Sequence, residues 1–466
     1  MARGATHVLG LDIGTQTIKA VELRLSGPDV VLEGRPAVIP TPPNSVVGGR
    51  VVDEEAVSQA ISEAASEYGF SVKKVVASVG GETDVVVRIA ELPRMEPKEL
   101  EDAVQLELDR QTPFAVDQVI YDFEAVEHPG VSPQSENMEV LLAVAQEDMV
   151  NAHAETILGA KMTPVAIDVE PLALGRALVE LGDEAAMQST VVTVNIGHTG
   201  ALISIFCQGV PVFIRTIPTA GEALTAAIRQ NAQFGEQDAE RAKRQFADVT
   251  GLFAYEEEEG EFEDEEDDFV DEDTDSVFEL ADSEAAEEAD EGAGDTDEMA
   301  THVDVDAQSY ELPPDQPVEA EPADQQQPGE EAEAEAPEGA GEPATTEQQA
   351  EAAEPISEEE QWARQQISEA LVDPLTELAT DLQRSIQHYQ RQHRQEQIST
   401  IILSGGSAAI PGLAAFLGAE LRIPAKVADP FANIQFDPDE VSKAYLRDVG
   451  PVLSIAVGLA LRDMLD

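Results

Sequence analysis

The stretch LGLDIGTQTIKAVEL, Leu9 to Leu23, decides how the rest of the chain is read. An apolar run breaks at Asp12-Ile13-Gly14-Thr15-Gln16-Thr17 and resumes with alternating apolar positions, which predicts two strands joined by a tight turn. Glycine lets the backbone bend with N–H groups pointing into the turn, and the side chains of Thr15, Gln16 and Thr17 add donors. Such a turn is an anion cradle. Asp12 repels phosphate but can hold a divalent cation or its waters, and Lys19 adds a point charge. Taken alone, the stretch reads first as a hairpin whose Gly and Thr satisfy turn geometry and nothing more.

Three further stretches extend the pattern. Laid over TVVTVNIGHTGALISIF at an offset of 183 residues, HVLGLDIGTQTIKAVEL places Asp12 on Asn195, Ile13 on Ile196 and Gly14 on Gly197. A strand, turn and strand repeated near the start of each half predicts two related lobes whose turns face each other across a cleft. ISTIILSGGSAAIPGL reads as a buried strand running through Ser404-Gly405-Gly406-Ser407 into an apolar helix, and paired glycines there let a flat ring approach the backbone. AERAK, Ala239 to Lys243, puts Glu240 and Lys243 on one helical face. By itself that pair is a solvated salt bridge; beside the turns it completes a nucleotide-shaped set.

The chain has 466 residues and a formal charge of −67 that is unevenly spread. Residues 256–360 hold 44 Asp and Glu and no Lys or Arg, leaving −23 over the other 361 residues. A segment of Glu, Asp, Ala, Pro and Gln cannot bury enough apolar surface to offset its ordering entropy, which predicts a long disordered acidic insertion. It reads as a solvated spacer or as a tether for a basic partner. Helical patterns flank it, GEQDAERAKRQFADVTGLF before and QWARQQISEALVDPLTELATDLQRSIQHYQRQHRQ after, so it interrupts one folded unit. Loop-closure entropy grows only logarithmically, so the fold tolerates the interruption.

A chain this acidic, with no dense Lys/Arg run, excludes nucleic acid as a partner. Cys207, the single cysteine, excludes an intrachain disulfide and reads as a buried strand residue in ALISIFCQG. No signal-peptide core is visible and no stretch approaches the roughly 18 apolar residues of a membrane span, which predicts a soluble cytosolic protein. KKVVASVGG, DVVVRIAEL and NMEVLLAVA read as strands, PKELEDAVQLELDRQT and EDMVNAHAETIL as helices: an α/β chain with several sheets. P-loop, HExxH and G-x-S-x-G patterns are absent, and His388 and His393 lie off the spacing that would place both on one helical face.

These residues resemble the actin, Hsp70 and sugar-kinase superfamily, in which ATP lies between two lobes, and within it the FtsA-like PilM family of type IV pilus assembly. The resemblance is carried also by VASVGGETDVVVRIAELPRMEPKELEDAVQLELDRQTPF, IDVEPLALGRAL, VFIRTIPTAGEALTAAI, LQRSIQHYQ, ILSGGSAAIPGLAAFL and GPVLSIAVGLALR, in the family's order. It implies an α/β, actin-like two-lobed ATPase fold with an FtsA/PilM-type subdomain 1C. Subdomain 1A would comprise 1–70, 161–187 and 436–466, subdomain 1C 71–160, subdomain 2A 188–235 and 395–435, and subdomain 2B 236–254 and 361–394.

The resemblance also implies site residues. Gly14, Thr15, Gln16, Thr17 and Lys19 would lie on the first phosphate loop with Asp12 near a magnesium ion, and Gly197, His198 and Thr199 on the second. Gly221 in TAGEALT matches a glycine near the phosphates, although the preceding family glycine is Ala220 here. Glu240 and Lys243 would flank ribose and adenine, and Gly405, Gly406 and Ser407 would line the adenine pocket. Asp168 and Glu170 would orient a water, unless Glu170-Pro171 simply opens the following helix. Asn195 stands where the superfamily usually carries an acid, which weakens the case for hydrolysis.

The function implied is a cytoplasmic ATP- and magnesium-binding scaffold at the cytoplasmic face of the inner membrane. It would dock the N-terminal cytoplasmic peptide of PilN, meet other pilus inner-membrane and motor components, reach the membrane through partners only, and form a homo-oligomer or ring. A small-molecule kinase and a filament-forming cytoskeletal ATPase of the same superfamily stand against it. A kinase needs a catalytic acid where this chain has Asn195, and kinases lack the segment 76–114 that resembles subdomain 1C.

Overall fold

The opening stretch forms an antiparallel hairpin of β1 (His7–Ile13) and β2 (Thr17–Ser26) around the turn at Gly14. Asp12 pairs with Lys19 across the ladder, which sets the two opposite charges side by side on one face. The computed structural model describes residues 6–81, 84–126, 135–182, 184–232, 235–250, 358–393 and 397–465. They belong to one compact unit, 1–257 with 354–466; the second unit, 258–353, lies outside the described residues.

β3 (Asp29–Leu32) and β4 (Ala37–Pro40) both pair with β2, and β5 (Val46–Val47) and β6 (Arg50–Val51) make a short hairpin. α1 (Glu54–Glu67) is N-capped by the Asp53 carboxylate, which accepts from the Ala56 N–H, and leads to β7 (Lys74–Val79), parallel to β1. An antiparallel module follows: β8 (Val85–Pro93), α2 (Pro97–Gln111), β9 (Val119–Val126) and β10 (Asn137–Gln146), in sheet order β8-β10-β9. Leu100, Val104 and Leu108 of α2 bury its apolar face on Val140, Leu142 and Val144. α3 (Glu147–Gly159) then returns the chain to β11 (Thr163–Val169), completing the first sheet as β11-β7-β1-β2-β3 with β4 on β2.

α4 (Glu170–Gly175), a π-helical turn at Arg176–Glu180 and α5 (Glu184–Met187) carry the chain into the second lobe. Its sheet, β14-β13-β12-β15-β16, is built from β12 (Thr190–Ile196), β13 (Ala201–Cys207), β14 (Val210–Ile217), β15 (Ile398–Ser404) and β16 (Ala425–Val427). Among the described residues, α6 (Gly221–Ala232), α7 (Glu236–Phe246), α8 (Glu358–Ala370) and α9 (Val372–Gln392) lie between β14 and β15, and α10 (Leu413–Leu421) follows β15. α11 (Lys443–Ala460) goes back to the first lobe and packs on β1, β2, β7 and α4.

The internal echo is structural. β12 and β13 form the same antiparallel hairpin as β1 and β2, and the Gly14 N–H to Thr17 carbonyl bond of 3.1 Å recurs 183 residues later as Gly197 to Gly200 at 3.0 Å. Cys207 is buried in β13 and forms no disulfide, and no helix among the described residues is long and apolar enough to cross a membrane.

Three local expectations are corrected. The long helical pattern after the acidic segment is two helices, because Pro374 has no N–H for the Ala370 carbonyl and the chain breaks at Leu371. α8 begins at Glu358, so the last three residues of the stretch read as a disordered insertion are helical, and 256–357 lie outside the described residues. The apolar helix after Ser404-Gly405-Gly406-Ser407 starts only at Leu413, since Pro411 and Gly412, the latter at φ +85°, delay it.

Candidate functional site

Both hairpin turns open onto one cleft of about 280 Å³ between the lobes. Asp12, Gly14, Thr15, Gln16, Thr17 and Lys19 line it from β1–β2, and Gly197, His198 and Thr199 from β12–β13. Gly221, Glu240, Lys243, Gly405, Gly406 and Ser407 line it from the second lobe, Glu170 from the start of α4, and Val452 and Ile455 from α11. Of the sequence-predicted residues only Asp168 is not on its wall. Its buried carboxylate accepts from Arg176 at 2.7 Å and lies 3.4 Å from the Arg462 guanidinium, tying β11 to the connector and to the end of α11.

Lys19 stands 3.0 Å from the buried Asp12 carboxylate, so the first turn carries its own compensated charge pair. Across the cleft, Gln16 Nε2 lies 3.1 Å from His198 Nε2, with the amide donating to the ring nitrogen in the neutral tautomer that leaves it free to accept. The first two N–H groups of α6 hold the second turn: Gly221 donates to the Gly197 carbonyl at 3.0 Å and Glu222 to that of His198 at 2.7 Å.

Lys243 is 6 % exposed and donates to three acceptors, the Gly221 carbonyl, Thr225 Oγ1 and Glu240 Oε2 at 2.9, 2.9 and 2.7 Å. It fastens α6 to α7. Glu240 also accepts from Arg244 at 2.9 Å; burial pushes its carboxyl up, but Lys243, Thr225 and Arg244 outweigh burial and leave it below the usual range. Glu170 has the opposite balance. Burial first, then the Asp12 charge, push it up to about 7, with Lys19 opposing.

The sequence reading missed a wall of glycines at 48, 49, 80 and 81. A Cβ on Gly80 would meet Glu170 Oε1 at 2.1 Å, so that glycine makes the room in which the Glu170 carboxyl sits. At Gly80-Gly81 paired glycines straight after a buried strand were the available signal, the same one read at Gly405-Gly406. Those two differ in role. Gly405, at φ +90°, would drive a Cβ to 2.4 Å from the Ile196 carbonyl, whereas Gly406 has nothing within 4 Å and leaves bare backbone facing open cleft. Asn195 also lines the cleft and accepts from Ser404 Oγ at 3.3 Å, so the second turn has no carboxylate at the position matching Asp12.

The family model for the type IV pilus assembly protein PilM matches residues 10–248 and 345–464. Among solved structures, a PilM–PilN type IV pilus biogenesis complex is similar over 98 % of this chain and 98 % of that chain, at 21 % identity and a TM-score of 0.66. The ethanolamine utilization protein EutJ of Carboxydothermus hydrogenoformans is 12 % identical over 98 % of this chain and 90 % of its own, TM-score 0.46. MreB5 of Spiroplasma citri bound to AMPPNP is 11 % identical over 97 % and 95 %, TM-score 0.43. With a family match over most of its length and the actin-like fold shared with the solved complex, the chain belongs to the PilM family of type IV pilus assembly proteins.

Proposed function

We propose that this chain is an ATP-binding scaffold of the type IV pilus machine, docking the N-terminal cytoplasmic tail of a PilN protein at the cytoplasmic face of the inner membrane. The observation that carries the nucleotide half is the meeting of two anion-cradling turns, the Glu240–Lys243 helix and the bare backbone at Gly406 on one cleft. The PilN half rests on family membership and on the fold shared with the solved PilM–PilN complex. The β8–α2–β9–β10 module corresponds in this reading to subdomain 1C and lies within the range 71–160 given for it above. Other inner-membrane and motor components, and copies of the chain in a ring, complete the assembly.

Magnesium fits in one role. Among the described residues no three His, Cys, Asp or Glu side chains cluster to cage a metal, but one carboxylate, Asp12, together with substrate phosphates suits a small cation that keeps its waters. When bound, the ion would neutralise charge on the phosphates. Asp12 would hold it, Lys19 would share the phosphate charge, and the turns would donate their N–H groups. Of the two connector acids, Glu170 faces the cleft and is the one to orient a water, while Asp168, held by two arginines, fixes the connector. With Asn195 in the second turn, hydrolysis is at most weak.

A nucleotide held between lobes favours the closed arrangement only by binding it better, which couples ATP to partner affinity. The test is binding of a fluorescent ATP analogue to wild type and Asp12→Ala, with and without a synthetic PilN N-terminal peptide. The expected result is magnesium-dependent binding, weakened at least tenfold in the variant and strengthened by the peptide. No binding under any condition would leave a docking protein without nucleotide and refute the site.

A further inference from the structure

The second turn's carbonyls are held from outside by backbone N–H groups of α6. Among the described residues no helix stands in the equivalent place at the first turn, and another donor does that work: Thr41, between Pro40 and Pro42. Its hydroxyl donates to the Gly14 carbonyl at 2.6 Å, and its N–H donates to the Gln16 carbonyl at 3.1 Å. Thr41 is buried and does not line the cleft, whereas Gly14 and Gln16 do.

A trans peptide points its N–H opposite to its C=O. With the Gly14 and Gln16 carbonyls fixed on Thr41, the N–H groups of Thr15 and Thr17 are turned away from Thr41, and both residues line the cleft. An anion cradle needs its N–H groups presented together and its carbonyls withdrawn, since one carbonyl rotated inward replaces a donor by a repelling oxygen. The prolines on either side restrict the backbone that carries these two donors, and Ser45 Oγ donates to the Pro42 carbonyl at 2.7 Å, stiffening the segment further.

We propose that Thr41 is a positioning residue for phosphate: it locks the first turn in its anion-binding form without touching the ligand. The inference rests on the nucleotide reading above and names which part of the ligand this contact serves. Its signature is an affinity loss that depends on phosphate. Thr41→Val keeps the shape and the backbone bond to Gln16 but removes the hydroxyl bond to Gly14.

The experiment measures adenosine, ADP and ATP affinities for wild type, Thr41→Val and Thr41→Ser, together with each protein's unfolding midpoint. Expected is a roughly tenfold weaker ATP affinity in Thr41→Val, an unchanged adenosine affinity, and recovery in Thr41→Ser. Equal losses for adenosine and ATP, or no loss for either, would overturn the proposal while leaving the nucleotide reading intact. A wild type that binds none of the three overturns both. Should Thr41→Val fail to fold, amide exchange in wild type decides: inorganic tripolyphosphate must slow exchange at Thr15 and Thr17, and unchanged exchange there sinks the idea.

Discussion

Glu170 sits at the boundary between structure and chemistry. Its carboxyl is held near pH 7 by burial and by Asp12, and the room for it exists only because position 80 is glycine. The ordinary value is 4.5, so as pH rises the unfolded chain releases this proton first and the folded chain retains it. Folded protein then binds more protons than unfolded, and stability falls between about pH 4.5 and 7 and stays lowered above that. Glu170→Gln removes the ionisation. The expected outcome is a gain in melting temperature over wild type that is small at pH 5 and largest at pH 8; an equal gain at both would show that the proton is not held by burial. At this scale most of the cleft was legible, because Asp12 to Lys19, Gly197 to Thr199 and Gly405 to Ser407 each follow a buried strand in a pattern visible locally. The roles of Gly80 and Thr41 were not. Both are contacts with residues 90 and 27 positions away in sequence, Glu170 and Gly14, and no periodicity reports such a meeting.

Among the elements, α11 shows why a helix can require glycine. In an exposed helix Gly→Ala adds about 1 kcal/mol of helix stability. At Gly458 a Cβ would come within 1.7 Å of the Ala173 carbonyl of α4, and backbone cannot step aside as a side chain can. Overpacking therefore wins. Gly458→Ala is expected to lose about 3 kcal/mol or more in urea unfolding, and a neutral or stabilising result would mean that α11 and α4 separate easily. The same contact explains the connector. Arg176 donates to the Gly458 carbonyl at 3.0 Å and to Asp168 at 2.7 Å, so the π-turn that leads into the second lobe is pinned to α11 and β11 at its first residue. The helices themselves were readable from apolar spacing, and the break between α8 and α9 was overlooked because periodicity runs on through Leu371 while the missing N–H of Pro374 does not show in it.

At the level of the whole molecule, the repeat at an offset of 183 residues was the strongest signal in the sequence, since strands, turn bond and register all recur. The acidic segment is the other large feature. Its flanks, α7 and α8, pack against each other within one unit. Replacing 258–353 by a short Gly/Ser linker is expected to leave the melting temperature within about 2 °C and ATP-analogue affinity within about twofold, as loop-closure entropy varies slowly with length. A larger drop, read by calorimetry and fluorescence, would assign the segment a role in folding or binding.

The two lobes are joined by bonds of unequal kinds. Gly405 N–H donates to the Pro451 carbonyl of α11 at 2.8 Å, main chain to main chain, whereas Gln16 and His198 meet through side chains alone. The first can be cut by sequence change only with proline at 405, a position whose positive φ forbids it. The second can be cut by almost any substitution. One tie between the lobes is thus written in the backbone and the other in side chains, so sequence variation at Gln16 or His198 can rewrite the contact across the cleft while the bond at Gly405 persists.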